Sequence, residues 1–256
     1  MINSLLPMNP TTTRLLLDLN RRFYSDFGHA FAATRRRIQP GIQAGVQRLL
    51  HCAAWLDLGC GSGELARHLA RAAFTGSYLG LDSSSELLGE AQHDLPARPD
   101  FRAAYRQADL ASPTWATGLE LGAWQVISCF AVLHHLPGIE LRAALLQQAR
   151  LLLAEDGRFI HSVWQFQHSP KLMARRQPWE RIGLSDSDVE EGDTLLDWRY
   201  ALPGQPEQVG LRYVHLFTRP ELAHLAACCG FAIESEYESD GEGGKLGLYQ
   251  VWRGSF

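Results

Sequence analysis

Three acids and a run of glycines carry the first chemistry in this chain. Asp57-Leu58-Gly59-Cys60-Gly61-Ser62-Gly63 follows an apolar lead from Ala53 and precedes Glu64-Leu65-Ala66-Arg67-His68-Leu69-Ala70, which has helical spacing. That order reads as a buried strand, a tight turn and a helix. The glycines allow backbone angles other residues avoid and clear Cβ atoms from a ligand's path. Asp82 closes the apolar stretch Ser77 to Leu81, and Asp109 follows Phe101 to Tyr105. An acid at the end of the second strand, about 20 residues beyond the turn, can accept both ribose hydroxyls of a nucleoside. An acid one strand further on can accept an exocyclic amine. A dinucleotide fingerprint needs a third glycine where Glu64 stands, and a phosphate loop needs a Gly-Lys pair that is absent.

The elements that must position these groups alternate. Strands over 53–58, 77–82, 101–105, 124–130 and 157–164 are separated by helices from 64 to about 73, over 84–92 and over 140–153. Such alternation implies right-handed crossovers and a parallel sheet. Upstream, residues 13–37 read as one or two helices, and 41–50 resume a helical pattern after Pro40. Residues 165–211 break the alternation. They are rich in Pro, Gly and acids and are expected to form an inserted lid with little regular structure. Arg212 to Phe217 reads as extended. Thr218-Arg219-Pro220-Glu221 starts a helix that stops at Gly230, and 231–237 with 246–252 form an antiparallel hairpin. The expected organisation is a single domain over 1–256, with a helical cap over 1–50.

Composition sets limits. A chain of 256 residues with 46% hydrophobic content suits a soluble globular protein. The longest apolar run, Val126 to Leu133, is too short to span a bilayer, so no membrane partner is expected, and the N-terminus has no signal pattern. A cytoplasmic location follows as the expectation. The cysteines show no C-x-x-C spacing, which predicts reduced thiols and no metal site. Arginines 14, 21, 22, 35, 36, 37 and 48 make the N-terminus basic, whereas 180–193 and 234–242 are acidic. Planar guanidinium groups suit carboxylate or phosphate.

With D57-L-G-C-G-S-G, Y-L-G-L-D82, Q-A-D109-L and V126-I-S-C-F-A-V-L-H-H-L in order, the chain resembles the class I S-adenosyl-L-methionine (SAM) methyltransferases. The resemblance implies a Rossmann-like α/β fold, with a mostly parallel seven-stranded sheet, one antiparallel strand and helices on both faces. It implies SAM as cofactor and S-adenosylhomocysteine (SAH) as product. It assigns Asp57, Gly59, Gly61 and Gly63 to the methionine end of SAM, Asp82 to the ribose, and Asp109 with Leu110 to the adenine. Tyr24 would close over the methionine moiety.

A narrower likeness runs through Tyr24-Ser-Asp-Phe-Gly-His-Ala-Phe31-Ala-Ala-Thr34-Arg35, Val163-Trp164, Glu191-Gly-Asp193-Thr-Leu-Leu-Asp-Trp198 and Arg212-Tyr-Val-His215-Leu-Phe217. These segments resemble the tRNA wobble-uridine carboxymethyl methyltransferases, which work with a small zinc-bearing activator subunit. The sequence departs from that pattern at Ala30, Gln39, Gln167, Asp197 and the turn Glu155-Asp156-Gly157. The likeness implies tRNA and such a subunit as partners. A carboxylate acceptor is ionised at pH 7 and needs an anion clamp rather than a base; Arg35 and Arg212 are the candidates. His134, His135 and His215 are candidates to touch the acceptor or serve as base for a protonated nucleophile. Two alternatives stand beside this reading. One is a methyltransferase on a small-molecule carboxylate, phenol or amine. The other is a SAM-binding protein without catalysis.

Overall fold

The structure, a computed structural model, describes residues 7–33, 37–95, 98–200 and 207–255. In chain order the elements are α1 (Pro10–Ala33), α2 (Pro40–Val46), β1 (Ala54–Leu58), α3 (Glu64–Arg71), β2 (Gly76–Asp82), α4 (Ser85–His93), β3 (Phe101–Gln107) and β4 (Trp124–Phe130). There follow α5 (Ile139–Leu152), β5 (Leu153–Trp164), the single turn α6 (Pro170–Met173), β6 (Arg176–Gln177), β7 (Asp193–Tyr200), β8 (Gln208–His215), α7 (Arg219–Cys228), β9 (Phe231–Ser239) and β10 (Gly247–Gly254).

The large sheet has seven strands in the order β3-β2-β1-β4-β5-β10-β9. Strand β10 runs antiparallel to both neighbours, and the other ladders are parallel. This is the Rossmann-like fold the sequence implied. Alternation along the strands feeds two cores, one on each face. Leu56, Ile127, Phe159 and Trp252 meet α5 and α7 through Leu145, Leu146, Leu222 and Leu225. Trp55, Val126, Ile160 and Val251 meet Val46 of α2 and Leu65, Leu69 and Ala70 of α3. The chain steps outward from β1 to β3 and then returns to β4 beside β1. That reversal leaves a crevice at the carboxyl ends of β1 and β4.

Residues 165–211 differ from the expectation of little regular structure. β6, β7 and β8 form a second, three-stranded antiparallel sheet, with Asp193 opposite His215 and Tyr200 opposite Gln208. The strand β7 was hidden because nearly every residue in it is buried, Asp193 and Asp197 included. Both acids are paired, so the polar positions that should mark a solvent face do not. Strand β5 also begins earlier than the turn at 155–157 suggested. Leu153 pairs with Trp124 and Arg158 with Val126, so the intervening residues bulge from the ladder. Two of the sequence departures have partners: Gln39 accepts from the Tyr249 hydroxyl at 3.2 Å, and Asp197 holds Arg199 at 3.1 Å.

Helix α1 is one element rather than two. Asn9 caps it by accepting from the Thr11 backbone N–H at 2.8 Å. Thr12, Leu16, Asn20 and Phe23 share its buried face at helical spacing, and that face lies on β8. The approach is close because position 210 has no side chain: a Cβ there would stand 2.7 Å from the Phe27 ring and 2.8 Å from the Phe23 ring. Asn20 fixes the contact. Its amide donates to the carbonyls of His135 (3.1 Å) and Tyr213 (3.2 Å), and its oxygen accepts from the Tyr213 N–H (2.8 Å). Asn20→Ala would remove the side-chain partner of the Tyr213 N–H and of the His135 carbonyl, and leave the Tyr213 carbonyl to His135 Nδ1. It should lower the unfolding free energy by about 1–3 kcal/mol, as read from urea denaturation.

Candidate active site

The crevice at the reversal point is a cavity of about 320 Å³. Its floor is the glycine turn, with Gly59, Cys60, Gly61 and Ser62. Gly59 has φ +77°, and a Cβ on it would lie 2.3 Å from a Val132 methyl. Only glycine serves where the turn passes so close to the loop after β4. Gly61 faces the other way: nothing lies within 4 Å of where its side chain would begin, so the turn is open toward the cavity. Asp82 stands at the end of β2. Its oxygens accept from the backbone N–H of Gly61 (2.9 Å) and of Ser84 (3.0 Å), which joins the turn to the start of α4. Desolvation pushes its pKa up despite those N–H groups.

Ala108, Asp109, Leu110 and Ala111 line one end of the cavity. Asp109 accepts from the Ala111 N–H at 3.0 Å and meets the Arg21 guanidinium at 3.2 Å. Arg21 comes from α1, which roofs the crevice with Leu17, Asn20 and Tyr24. Opposite lies the segment after β4. Ala131 sits there at φ +56°, held by hydrogen bonds from its N–H to the Ser162 carbonyl and hydroxyl, both at 3.1 Å. A non-glycine residue in this region is strained. The strain bends the chain into the 3₁₀ turn Leu133–His135, which brings His135 to the cavity wall. The Tyr213 carbonyl can only accept, so His135 Nδ1 donates to it at 3.2 Å. With Nδ1 donating, the neutral form of the ring accepts the Tyr24 hydroxyl at Nε2, 2.9 Å away.

A profile of the family described as "Methyltransferase domain" matches residues 19–236. This chain belongs to the class I SAM-dependent methyltransferases. Among curated proteins none matches it. Among solved structures it is similar to a SAM-dependent methyltransferase from Clostridium acetobutylicum, at 15% identity and a TM-score of 0.63, covering 91% of this chain and 99% of that one. It is similar to the SAH-bound magnesium protoporphyrin IX methyltransferase from Synechocystis, at 20% identity and a TM-score of 0.59, covering 93% and 99%. It is also similar to a SAM-bound amino pentose methyltransferase from Micromonospora echinaspora, at 21% identity and a TM-score of 0.57, covering 88% and 96%. Membership of the SAM-dependent methyltransferase family makes SAM the cofactor and SAH the product. The cavity fits that group: an open glycine turn, an acid at the end of β2, and an apolar stretch beside Asp109. No helix among the described residues is long and apolar enough to cross a membrane.

The structure brings some of the expected site residues together and separates others. Tyr24, Gly59, Gly61, Asp82, Asp109, Leu110 and His135 all line the cavity. Gly63 instead starts α3, and a side chain there would meet Ala91 of α4 at 2.9 Å. Asp57 lies behind the turn, 3% exposed, accepting from Ser128 (2.6 Å) on β4 and Tyr78 (2.7 Å) on β2. His134 is fully buried and stacks on Trp164 with ring centres 5.0 Å apart. Arg212 is buried, its guanidinium 4.6 Å from the Trp164 ring and 5.3 Å from that of Phe23. His215 is buried between Asp193 (2.6 Å) and Glu221 (2.8 Å). Arg35 lies outside the described residues. Sequence reasoning missed Leu17, Asn20 and Arg21, whose helical spacing with Tyr24 was the available signal.

His215 belongs to a buried ionic cluster with Arg142 at its centre. The Arg142 guanidinium is 3.0 Å from Glu190, 3.3 Å from Glu221 and 3.6 Å from Asp193. Glu190, Asp193 and His215 each place a potential ligand atom within 4.8 Å of the others, and the guanidinium is the cation among them. Burial and Arg142 both work against charge on His215, but the hydrogen bonds to Asp193 and Glu221 outweigh them and raise its pKa.

Two measurements follow. Asp82→Ala should weaken SAH binding by at least about tenfold in calorimetric titration, since a charge-assisted hydrogen bond contributes about 1.5–3 kcal/mol. Burial lifts Asp57 from its ordinary value of 3.8 to about 6, against the hydrogen bonds from Ser128 and Tyr78. Its folded pKa lies above its unfolded one, so this contribution to stability is complete below the unfolded value and lost as pH rises through about 6. Asp57→Asn should flatten that decline and raise the unfolding free energy at pH 8 by roughly 1–3 kcal/mol.

Proposed function

We propose that this methyltransferase esterifies a carboxylate carried by RNA, on a tRNA wobble uridine, with an activator subunit as partner. The observation that carries the reading is the Arg212 guanidinium stacked on Trp164. It comes from the motif segment Arg212-Tyr213-Val214-His215, and Trp164 also stacks on His134, next in sequence to the cavity-lining His135. A desolvated guanidinium holds a carboxylate by charge-assisted, bidentate bonds. Arg35 of the N-terminal motif would serve as a second clamp. Arg14, Arg21 and Arg22 are exposed on α1, which roofs the cavity, and they supply positive charge for a phosphate backbone.

The chemistry asks for little beyond alignment. SAM supplies a methyl group on a sulfonium, and an ionised carboxylate oxygen attacks it in line, displacing SAH. The oxygen–methyl bond forms as the sulfur–methyl bond breaks, and no proton moves. Tyr24 and His135 would shape the wall beside the sulfonium. The residues over 165–211, with β6 and β7, would form the lid over the acceptor.

The Tyr24–His135 contact favours a second reading, a small phenol or amine as acceptor. His135 Nε2 already accepts the Tyr24 hydroxyl proton, and that pair could relieve a nucleophile of its proton.

The test is transfer of labelled methyl from SAM into a total cell extract, with and without ribonuclease. The expected result is label in RNA, released as methanol by mild base, as a methyl ester requires. Arg212→Lys should reduce it by about 10²-fold, the size of losing an oriented charge-stabilising donor. Label confined to small molecules, or stable to base, would sink the RNA-carboxylate reading.

A further inference from the structure

The buried cluster around Arg142 does more than neutralise charge. Arg142 projects from the first turn of α5 and is fully buried. Its Nε donates to the Leu136 carbonyl at 2.9 Å, and Nη2 donates to the Tyr213 hydroxyl at 2.9 Å. Leu136 follows His135 directly and lines the cavity with it. Tyr213 supplies the carbonyl that receives the proton on His135 Nδ1. One guanidinium therefore grips both the residue next to His135 in sequence and the residue that holds its ring in space.

The charge around it keeps that grip. Burial works against the cation, yet the surrounding Tyr213, Glu190, Asp193 and Glu221 hold Arg142 protonated. The Tyr213 hydroxyl donates in turn to Asp193 at 2.6 Å, so the phenol is fixed from both sides. A buried ion pair is rarely the cheapest way to fill a core, and apolar residues of the same volume often serve as well. An apolar residue at 142 could not direct donors toward a carbonyl and a hydroxyl at once. Lysine carries a point charge without the planar fork.

We propose that Arg142 is a positioning residue for methyl transfer. By holding the Leu136 carbonyl and the Tyr213 phenol together, it sets the His135 ring, and through it the Tyr24 hydroxyl, against the SAM cavity. The proposal rests on the reading of His135 and Tyr24 as the wall beside the sulfonium.

The test is ¹⁵N NMR of histidine-labelled protein without SAM, with His135 assigned through His135→Asn. The wild type should show His135 as the Nδ1–H tautomer. In Arg142→Lys the His135 nitrogens should shift toward a mixture of tautomers. His161 gives the internal control for the fold: it is buried against Trp252, and burial lowers its pKa to about 3, so it stays neutral. SAH affinity should stay within about threefold of wild type, because the glycine turn and Asp82 are untouched, while methyl transfer into the extract falls at least about tenfold. Tyr213→Phe keeps the carbonyl and removes only the phenol, and should shift the His135 signals in the same direction. Unchanged His135 signals in either folded variant would overturn the proposal. So would a shift of His161 equal to that of His135, since the role would then be structural. If Arg142→Lys does not fold, Tyr213→Phe decides alone. Loss of the SAM reading is seen separately, as failure of the wild type to bind SAH.

Discussion

Burying a charge is costly unless every partner comes with it, and this constraint shapes one whole side of the molecule. Arg142 sits in the core beside Phe217, with its ring face 5.2 Å away. Its counter-charges cannot come from α5. They arrive from the loop before β7 at Glu190, from β7 at Asp193 and from the first turn of α7 at Glu221. The small sheet, α5 and α7 are therefore locked to one another by a single guanidinium. Tyr213 and His215 of β8 fill the remaining hydrogen-bonding directions. Once β8 is fixed, α1 has a surface to lie on, and Asn20 can reach the Tyr213 backbone. The roof of the cavity thus depends on a pairing that begins beyond the cavity wall.

A second buried carboxylate does comparable work at the centre of the large sheet. Asp57 on β1 accepts from Tyr78 on β2 and Ser128 on β4. Ser128 in turn accepts from the Trp55 indole at 2.8 Å. The three strands whose ends build the crevice are tied together directly beneath the glycine turn. That gives the acid a reason to stand before the glycines even where it does not line the cavity. The arrangement is poised rather than relaxed, because desolvation pulls Asp57 toward its neutral form.

The cavity itself combines rigid and adjustable parts. The glycine turn and Asp82 are set by backbone hydrogen bonds at the ends of parallel strands. The roof is held at its outer end by Arg21 and Asp109, both more than 40% exposed. An ion pair so open to solvent contributes little, so the outer edge of α1 is the weakly held side of the cleft. The inner edge is pinned by Asn20, whose side chain holds the backbone of His135 and Tyr213.

The sequence by itself determined the large sheet, its strand pattern, and the glycine turn and strand-end acids that meet at the cavity. Local signals suffice for these. Glycines at a strand end, acids at the next two strand ends and alternating apolar runs each depend on a few consecutive residues. Tyr24 and His135, which line the cavity, were also singled out by sequence, the latter as one of two adjacent histidines. Which of the two faces the cavity was decided by tertiary structure, through Ala131 bending the chain and Tyr213 receiving the ring proton. The same holds for His215 and Asp57. Their chemistry invited a role toward ligands, but packing put them behind the cavity wall, His215 between two carboxylates and Asp57 between two hydroxyls. Strand β7 and the Arg142 cluster were illegible for one physical reason. Buried ionic groups look like surface residues until their partners, distant in sequence, are brought beside them, and the fold alone does that.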